Sequence, residues 1–353
     1  MDMTSKNSSK RPVGVIGAGS FGIAIANILA QNSEVLLYAR DPEVIKKIAE
    51  TKEHRGQKIH KNITATGDLS YIATSCNVLF PIVPSSSFRE MMQQLSPYLH
   101  PFHILIHGTK GLDISLPPGQ TLDTAKRISR DEIKTMSEVI MDESVVVRVG
   151  CLAGPNLAKE LYAEQPAATV VASHFTEVID AGEQLLRNDR FQVYSNQDLI
   201  GIELAGVLKN IIAIASGVLS GLGHGENAKG LLISRGMVEM VYLGKAMGGD
   251  VRAFLGLAGI GDLVATCNST LSRNFTVGYK LAQGQTLPEI LESMEEVAEG
   301  INTTKIIKRV IEHQKVRAPI TEALYAVLFE GLPVERAINL LMRYPYNVDI
   351  DFI

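Results

Sequence analysis

The sequence predicts an α/β fold: an N-terminal Rossmann-type doubly wound, mostly parallel sheet followed by an all-α C-terminal domain. Three observations predict it. A short apolar run, Val13 to Ile16, leads directly into a glycine-rich turn and an apolar helical stripe. Strand-like runs then alternate with helical periodicity as far as Tyr194. Beyond Tyr194 the strand-like runs stop and long helical periods take over.

Taken in order, Val13 to Ile16 reads as a strand, and Phe21 to Gln31 as a helix with Phe21, Ile25, Ile28 and Leu29 on one face. Glu34 to Tyr38 is strand-like again, which completes a βαβ unit of the length a parallel pair requires. The alternation continues with a strand at Val78 to Val83, a helix near Ser86 to Leu95 and a strand at His103 to His107. Pro81 argues for an edge or a bulge there, because proline has no ladder donor. Further strands are expected at Ser144 to Arg148, Ala168 to Ala172 and Phe191 to Tyr194. The helical half then holds Leu199 to Leu222, Asn227 to Met247, Asn274 to Gln283 and several stretches beyond Leu287. A chain of 353 residues exceeds one comfortable core. It divides into a flexible tail at 1–12, a dinucleotide-binding domain at 13–196, a helical substrate-binding domain at 197–342 and a C-terminal tail at 343–353.

Hydrophobic residues make up 46% of the chain and charged residues 20%, the balance of a globular enzyme. A formal net charge of −4 offers no general attraction to nucleic acid, and a phosphorylated small molecule needs only a local cationic pocket. Cys76, Cys151 and Cys267 are odd in number, with no CxxC or HExxH, so no metal site is expected and a reducing, cytoplasmic location is. Cys151 and Cys267 lie near site motifs without a lysine or histidine base beside them, so the cysteines read as packing residues. The first dozen residues lack the apolar core of a secretory signal. The most apolar long stretch, Ile211 to Leu222, is interrupted by Ser216, Gly217, Ser220 and Gly221, whereas a bilayer span needs roughly 20 residues. No membrane insertion is expected.

Gly17-Ala18-Gly19-Ser20-Phe21-Gly22 is a GxGxxG directly after a strand and opening a helix. Gly17 would make the tight turn, Gly19 would admit a pyrophosphate to the backbone, and Gly22 would let helix and strand pack closely. At the end of the second strand an acid usually takes the ribose hydroxyls of NADH, while a cation accepts the 2′-phosphate of NADPH. Arg40 stands near that place, which favours NADPH; otherwise Arg40 is a solvated cation and Asp41 simply caps the next helix.

Two lysines have unusual surroundings. Lys110, in His107-Gly-Thr-Lys-Gly111, follows a strand at the carboxyl edge where open α/β sheets bind ligands, unless it is merely a turn lysine between glycines. Lys209 has Ile202, Ala205, Gly206, Ile212, Ala213 and Ser216 as helical neighbours, so its ammonium faces small or apolar groups. Desolvation lowers a lysine pKa towards neutrality, which suits it to give a proton to a ketone or take one from an alcohol. The bland reading is a lysine that snorkels or pairs with a carboxylate. Asp262 and Thr266 share a helical face, where they either meet substrate and orient Lys209 or serve as an N-cap and a buried threonine. Ser272-Arg273-Asn274 opens another helix, and its arginine fork and helix N–H groups would suit a phosphate; the alternative is an exposed arginine beside a serine cap.

These residues resemble the NAD(P)-dependent glycerol-3-phosphate dehydrogenases of the bacterial type, from Val13 to about Gly331. The resemblance is carried by VIGAGSFG at Val15 to Gly22, TKG at Thr109 to Gly111, AGPN at Ala153 to Asn156 followed by Ala158-Lys-Glu160, and LKN at Leu208 to Asn210. It continues through GDLVAT at Gly261 to Thr266, SRN at Ser272 to Asn274, EG at Glu299 to Gly300 and PITEALY at Pro319 to Tyr325. It implies reversible hydride transfer between NAD(P)H and dihydroxyacetone phosphate, giving sn-glycerol 3-phosphate for glycerophospholipid synthesis. Lys209 is then the proton acceptor in alcohol oxidation. Lys110, Gly154, Asn156, Asp262, Ser272, Arg273 and Asn274 surround the substrate, and Asn156 stands where relatives often carry threonine or serine. Ser20, Phe21, Arg40, Lys110, Ala158, Arg273, Val297 and Glu299 touch the cofactor. The family further implies a homodimer. The competing readings are a 3-hydroxy-acid or ketopantoate-type dehydrogenase of the same architecture and a non-catalytic nucleotide-sensing protein.

Overall fold

A computed structural model describes residues 11–116, 119–122, 124, 128–345 and 348–349; of the tails expected at 1–12 and 343–353, residues 1–10, 346–347 and 350–353 lie outside the described residues. Eight strands form one sheet: β1 (Val13–Ile16), β2 (Val35–Tyr38), β3 (Ile63–Thr66), β4 (Val78–Pro81), β5 (Ile104–His107), β6 (Arg148–Ala153), β7 (Ala167–Ala172) and β8 (Phe191–Asn196). Across the sheet they run β8-β7-β6-β5-β4-β1-β2-β3. Adjacent strands are parallel except β6 with β7. The part from β3 to β6 has the doubly wound order, so a ligand crevice opens where the order reverses, between β1 and β4. Both β1 and β5 are buried along their whole length, as strands covered on two faces must be, which explains their unbroken apolar runs.

The sheet departs from expectation at three places. The strand expected at Ser144 to Arg148 begins instead at Arg148, because the helix Met136–Glu143 ends just before it and Val145 and Val147 point to solvent. The true strand is buried but made of small residues, Gly150, Cys151 and Ala153, which carry little β signal. Pro81 ends β4 in the sheet interior rather than at an edge. The β4–β5 register stops at Leu79 opposite Leu105, so its missing donor falls beyond the ladder, while its carbonyl accepts from Gly108 N at 3.1 Å. β3, with the sequence Ile-Thr-Ala-Thr, is an edge strand too polar to stand out.

After β8 the chain turns at Asp198, whose carboxylate accepts from Gly201 N at 2.9 Å, and enters the helix Leu199–Gly221. This 23-residue helix is longer than the apolar stretch the sequence suggests, with a mean hydropathy of 1.7, and it has the length and composition of a membrane span. Of its most apolar 18 residues, 89% are instead buried within the protein, mostly under the helices Glu226–Ala246, Asp262–Cys267, Arg273–Ala282 and Glu299–Gln314. Its closest neighbour is Arg273–Ala282, and glycine sets that approach. A Cβ on Gly278 would lie 1.8 Å from Ile214 O, and one on Gly217 would lie 2.0 Å from Phe275 O. Gly278→Val should therefore cost about 3 kcal/mol of stability by overpacking, read as a lower urea midpoint. An unchanged midpoint would contradict the contact.

All three cysteines are free and buried, and burial pushes the Cys76 and Cys267 thiols up to about 12, which leaves them inert.

Candidate active site

The glycine loop is shaped by what a side chain would strike. Gly17 has φ +122°, and a Cβ there would meet Ile82 O at 2.1 Å; one on Gly22 would meet Gly17 O at 2.0 Å. Around Gly19 the nearest atom is Glu296 Oε1, 3.8 Å from a Cβ position, so the backbone is open to a close-approaching group. The helix Ser20–Leu29 starts there, with the Tyr162 hydroxyl donating to Ser20 O and the Phe21 ring against Gly108. This cradle fits a dinucleotide pyrophosphate. Arg40 is exposed just past β2, while Asp41 caps the helix Pro42–Thr51 by accepting from Glu43 N at 2.9 Å. Ala158 opens the short helix Ala158–Tyr162.

The second cluster forms where the loops after β5 and β6 meet the buried helix. Lys209 Nζ donates to Thr266 Oγ1 at 2.6 Å and lies 3.1 Å from Asp262 Oδ1, and the Thr266 hydroxyl donates to the same Oδ1 at 3.0 Å. Lys110 Nζ donates to Asp262 Oδ2 at 2.6 Å and to Gly154 O at 3.0 Å. Two ammoniums thus share one carboxylate. Burial pushes Lys209 down to about 8, with Asp262 opposing the shift and Lys110 adding to it. Asn156, beside Gly154, donates to Ala168 O at 2.9 Å, while its buried Oδ1 has no protein partner.

A chain of contacts joins the two clusters. Asn274 donates to Asn210 Oδ1 and accepts from Gly300 N, both at 2.9 Å. Glu299, next to Gly300, accepts from Ser85 N at 2.9 Å and from Ser85 Oγ at 2.5 Å. A Cβ on Gly111 would lie 2.3 Å from Ser85 Cβ, so the path returns to Lys110. Ser272 caps the helix Arg273–Ala282, accepting from Phe275 N at 3.2 Å. Arg273 turns to the other side: its Nη1 donates to Val297 O at 2.7 Å and lies 3.5 Å from Glu296.

The structure thus gathers Lys110, Gly154, Lys209 and Asp262, and separately the glycine loop with Arg273 and Val297. It does not place the Arg273 guanidinium in contact with Lys209. Sequence reading missed Glu296, whose carboxylate lies on Ser20, and no local pattern flags it. It also missed Asn210, though a second polar residue beside Lys209 on an apolar helix is a signal. A third omission lies beneath β5, where His107 Nε2 lies 2.9 Å from Glu203 Oε1, both fully enclosed. Burial alone would raise Glu203, but His107 and Ser137 together hold it below the usual carboxylate range.

A phosphate-admitting loop on a doubly wound sheet, with a desolvated lysine gathered at the same carboxyl edge, defines the nicotinamide-dependent oxidoreductases. Two family models match: the NAD-dependent glycerol-3-phosphate dehydrogenase N-terminus over residues 12–179 and the corresponding C-terminus over 198–339. The chain belongs to the NAD-dependent glycerol-3-phosphate dehydrogenase family. It is 39% identical to a glycerol-3-phosphate dehydrogenase [NAD(P)+] of Ectopseudomonas mendocina, covering 97% of both chains. It is 38% identical to that of Staphylococcus carnosus, over 94% of this chain and 97% of the relative. The crystal structure of glycerol-3-phosphate dehydrogenase from Coxiella burnetii superposes with a TM-score of 0.84 at 30% identity, covering 95% of this chain and 99% of that one.

Proposed function

We propose that the chain interconverts dihydroxyacetone phosphate and sn-glycerol 3-phosphate, with residues 13–196 holding the cofactor and 197–342 the substrate. The observation that carries this is Lys209, buried and shifted to about 8 beside Asp262 and Thr266. A bound nicotinamide cofactor would supply the hydride as NAD(P)H in ketone reduction and accept it as NAD(P)+ in alcohol oxidation. Lys209 as the ammonium gives a proton to the carbonyl oxygen, and as the amine takes one from the alcohol. Thr266 and Asp262 fix the direction of its Nζ, and Lys110 completes the polar wall. The Asn156 Oδ1, buried without a protein partner, suits a substrate hydroxyl. Ser272 offers the phosphate a helix N-terminus, and Asn274 holds that turn through Asn210 and Gly300. Arg273, held on the glycine-loop side by Val297 O and Glu296, adds its fork to the phosphate only by turning away from them. Binding energy from the phosphate orients the three-carbon ketone.

Comparing dihydroxyacetone phosphate with unphosphorylated dihydroxyacetone tests the substrate. We expect kcat/KM to fall about 100-fold without the phosphate, as loss of a charge-assisted site requires; comparable values would refute it. The cofactor lies along Gly17, Gly19, Ser20, Phe21 and Gly22, with Ala158, Val297 and Glu299 at its borders. The exposed Arg40 favours NADPH over NADH by pairing with the 2′-phosphate. Arg40→Ala should reduce the NADPH-to-NADH ratio of kcat/KM about 10-fold, and an unchanged ratio would refute the pairing. On the family resemblance, the protein is a cytoplasmic homodimer supplying glycerophospholipid synthesis.

A further inference from the structure

The loop between the helices Leu287–Glu292 and Glu299–Gln314 crosses from the helical half to the glycine loop. Its Glu296 places Oε1 3.2 Å from Ser20 N, 2.9 Å from Ser20 Oγ and 3.1 Å from Arg55 Nη1, while Oε2 lies 3.5 Å from Arg273 Nη1. Burial would raise this carboxyl, but the Ser20 N–H, Arg273, the Ser20 hydroxyl and Arg55 together hold it below the usual carboxylate range, so it is an anion. The loop is tied down before it by Lys280, which donates to Ser293 Oγ at 2.7 Å, and after it by Arg273 on Val297 O and by Glu299 on the first turn of the helix Ser85–Leu95.

An anion at the first turn of the helix after GxGxxG uses the N–H donors and dipole that a pyrophosphate needs. The Ser20 donors cannot serve both, and a carboxylate left beside a diphosphate repels it. None of the motifs that carry the family resemblance includes position 296.

We propose that Glu296 is an internal competitor for the dinucleotide's pyrophosphate, holding the 293–298 loop across the glycine loop and thereby setting cofactor affinity. This rests on the reading of the glycine loop as the dinucleotide site. Apparent affinity is the intrinsic affinity reduced by the fraction of molecules whose loop is open, so removing the carboxylate strengthens binding.

The test is calorimetric titration of wild type, Glu296→Ala and Glu296→Gln with NADPH, NADH, ADP and adenosine. NADPH, NADH and ADP should bind Glu296→Ala about 10-fold more tightly than wild type. Glu296→Gln, which keeps a hydrogen-bond acceptor but loses the charge, should gain less. Adenosine, which has no phosphate, should bind all three alike. Unchanged or weaker binding of NADPH and ADP by both variants would overturn the proposal, as would a gain for adenosine equal to that for ADP. If NADPH, NADH and ADP bind neither wild type nor variants, the dinucleotide reading itself falls. If they bind wild type without tightening in the variants, only the role of Glu296 does.

Discussion

Lys209→Ala should lower kcat about 10³-fold in both directions while leaving NADPH affinity within a factor of a few, because it removes the proton donor and not a cofactor contact. Steady-state kinetics and direct NADPH titration read the two effects separately, and wild-type-like turnover would refute the assignment. The wild-type pH profile carries the same information. With Lys209 shifted down to about 8, the ammonium predominates below that pH and the amine above it. Ketone reduction, which consumes the proton, should therefore fall as pH rises through about 8, and alcohol oxidation should rise through the same region. In Lys209→Ala both limbs should vanish.

Asp262→Asn should lower kcat about 100-fold and move both limbs to lower pH. Asp262 is the chief group that raises the Lys209 pKa, against burial and against Lys110. Without its charge two neighbouring ammoniums lose their shared counter-ion, and Lys209 gives up its proton more easily. Limbs that stay in place or move to higher pH would show that Asp262 does not act on Lys209 in this way. Thermal unfolding measured alongside separates this from a loss of folded protein, since removing one partner of a buried ion pair also destabilises.

How much of this could be read from the sequence depended on how local each signal was. The sheet was legible where strands are covered on both faces, as in β1 and β5, whose runs are unbroken and apolar. It was illegible in β6, whose burial rests on small residues, while the exposed Val145 and Val147 just before it looked like strand. Lys209 stood out because its helical neighbours are all small or apolar, and the spacing of Asp262 and Thr266 made them partners on one face. Their meeting with Lys209 is a contact across 57 residues, which no periodicity encodes. Glu296 acts over a separation of 276 residues, and Glu299 caps a helix 214 residues away. Glu296 lies in a stretch whose periodicity reads only as an acidic loop, and Glu299 stood out there only through the family resemblance.

The helix Leu199–Gly221 has one more consequence, for the time before the fold exists. Every surface that covers its apolar length within the helical half comes from residues that follow it in the chain. The last of the four covering helices ends at Gln314, 93 residues after Gly221, and at 5–20 residues per second their synthesis takes roughly 5–19 s. For that interval a segment with the hydropathy of a bilayer span stands in the nascent chain without the helices that cover most of it, though β6, made earlier, already packs against it. A ribosome stalled downstream of Gly221 would present that segment to chaperones and to the membrane-insertion machinery alike. The late helices, including those far from Lys209, therefore complete the cover over that segment.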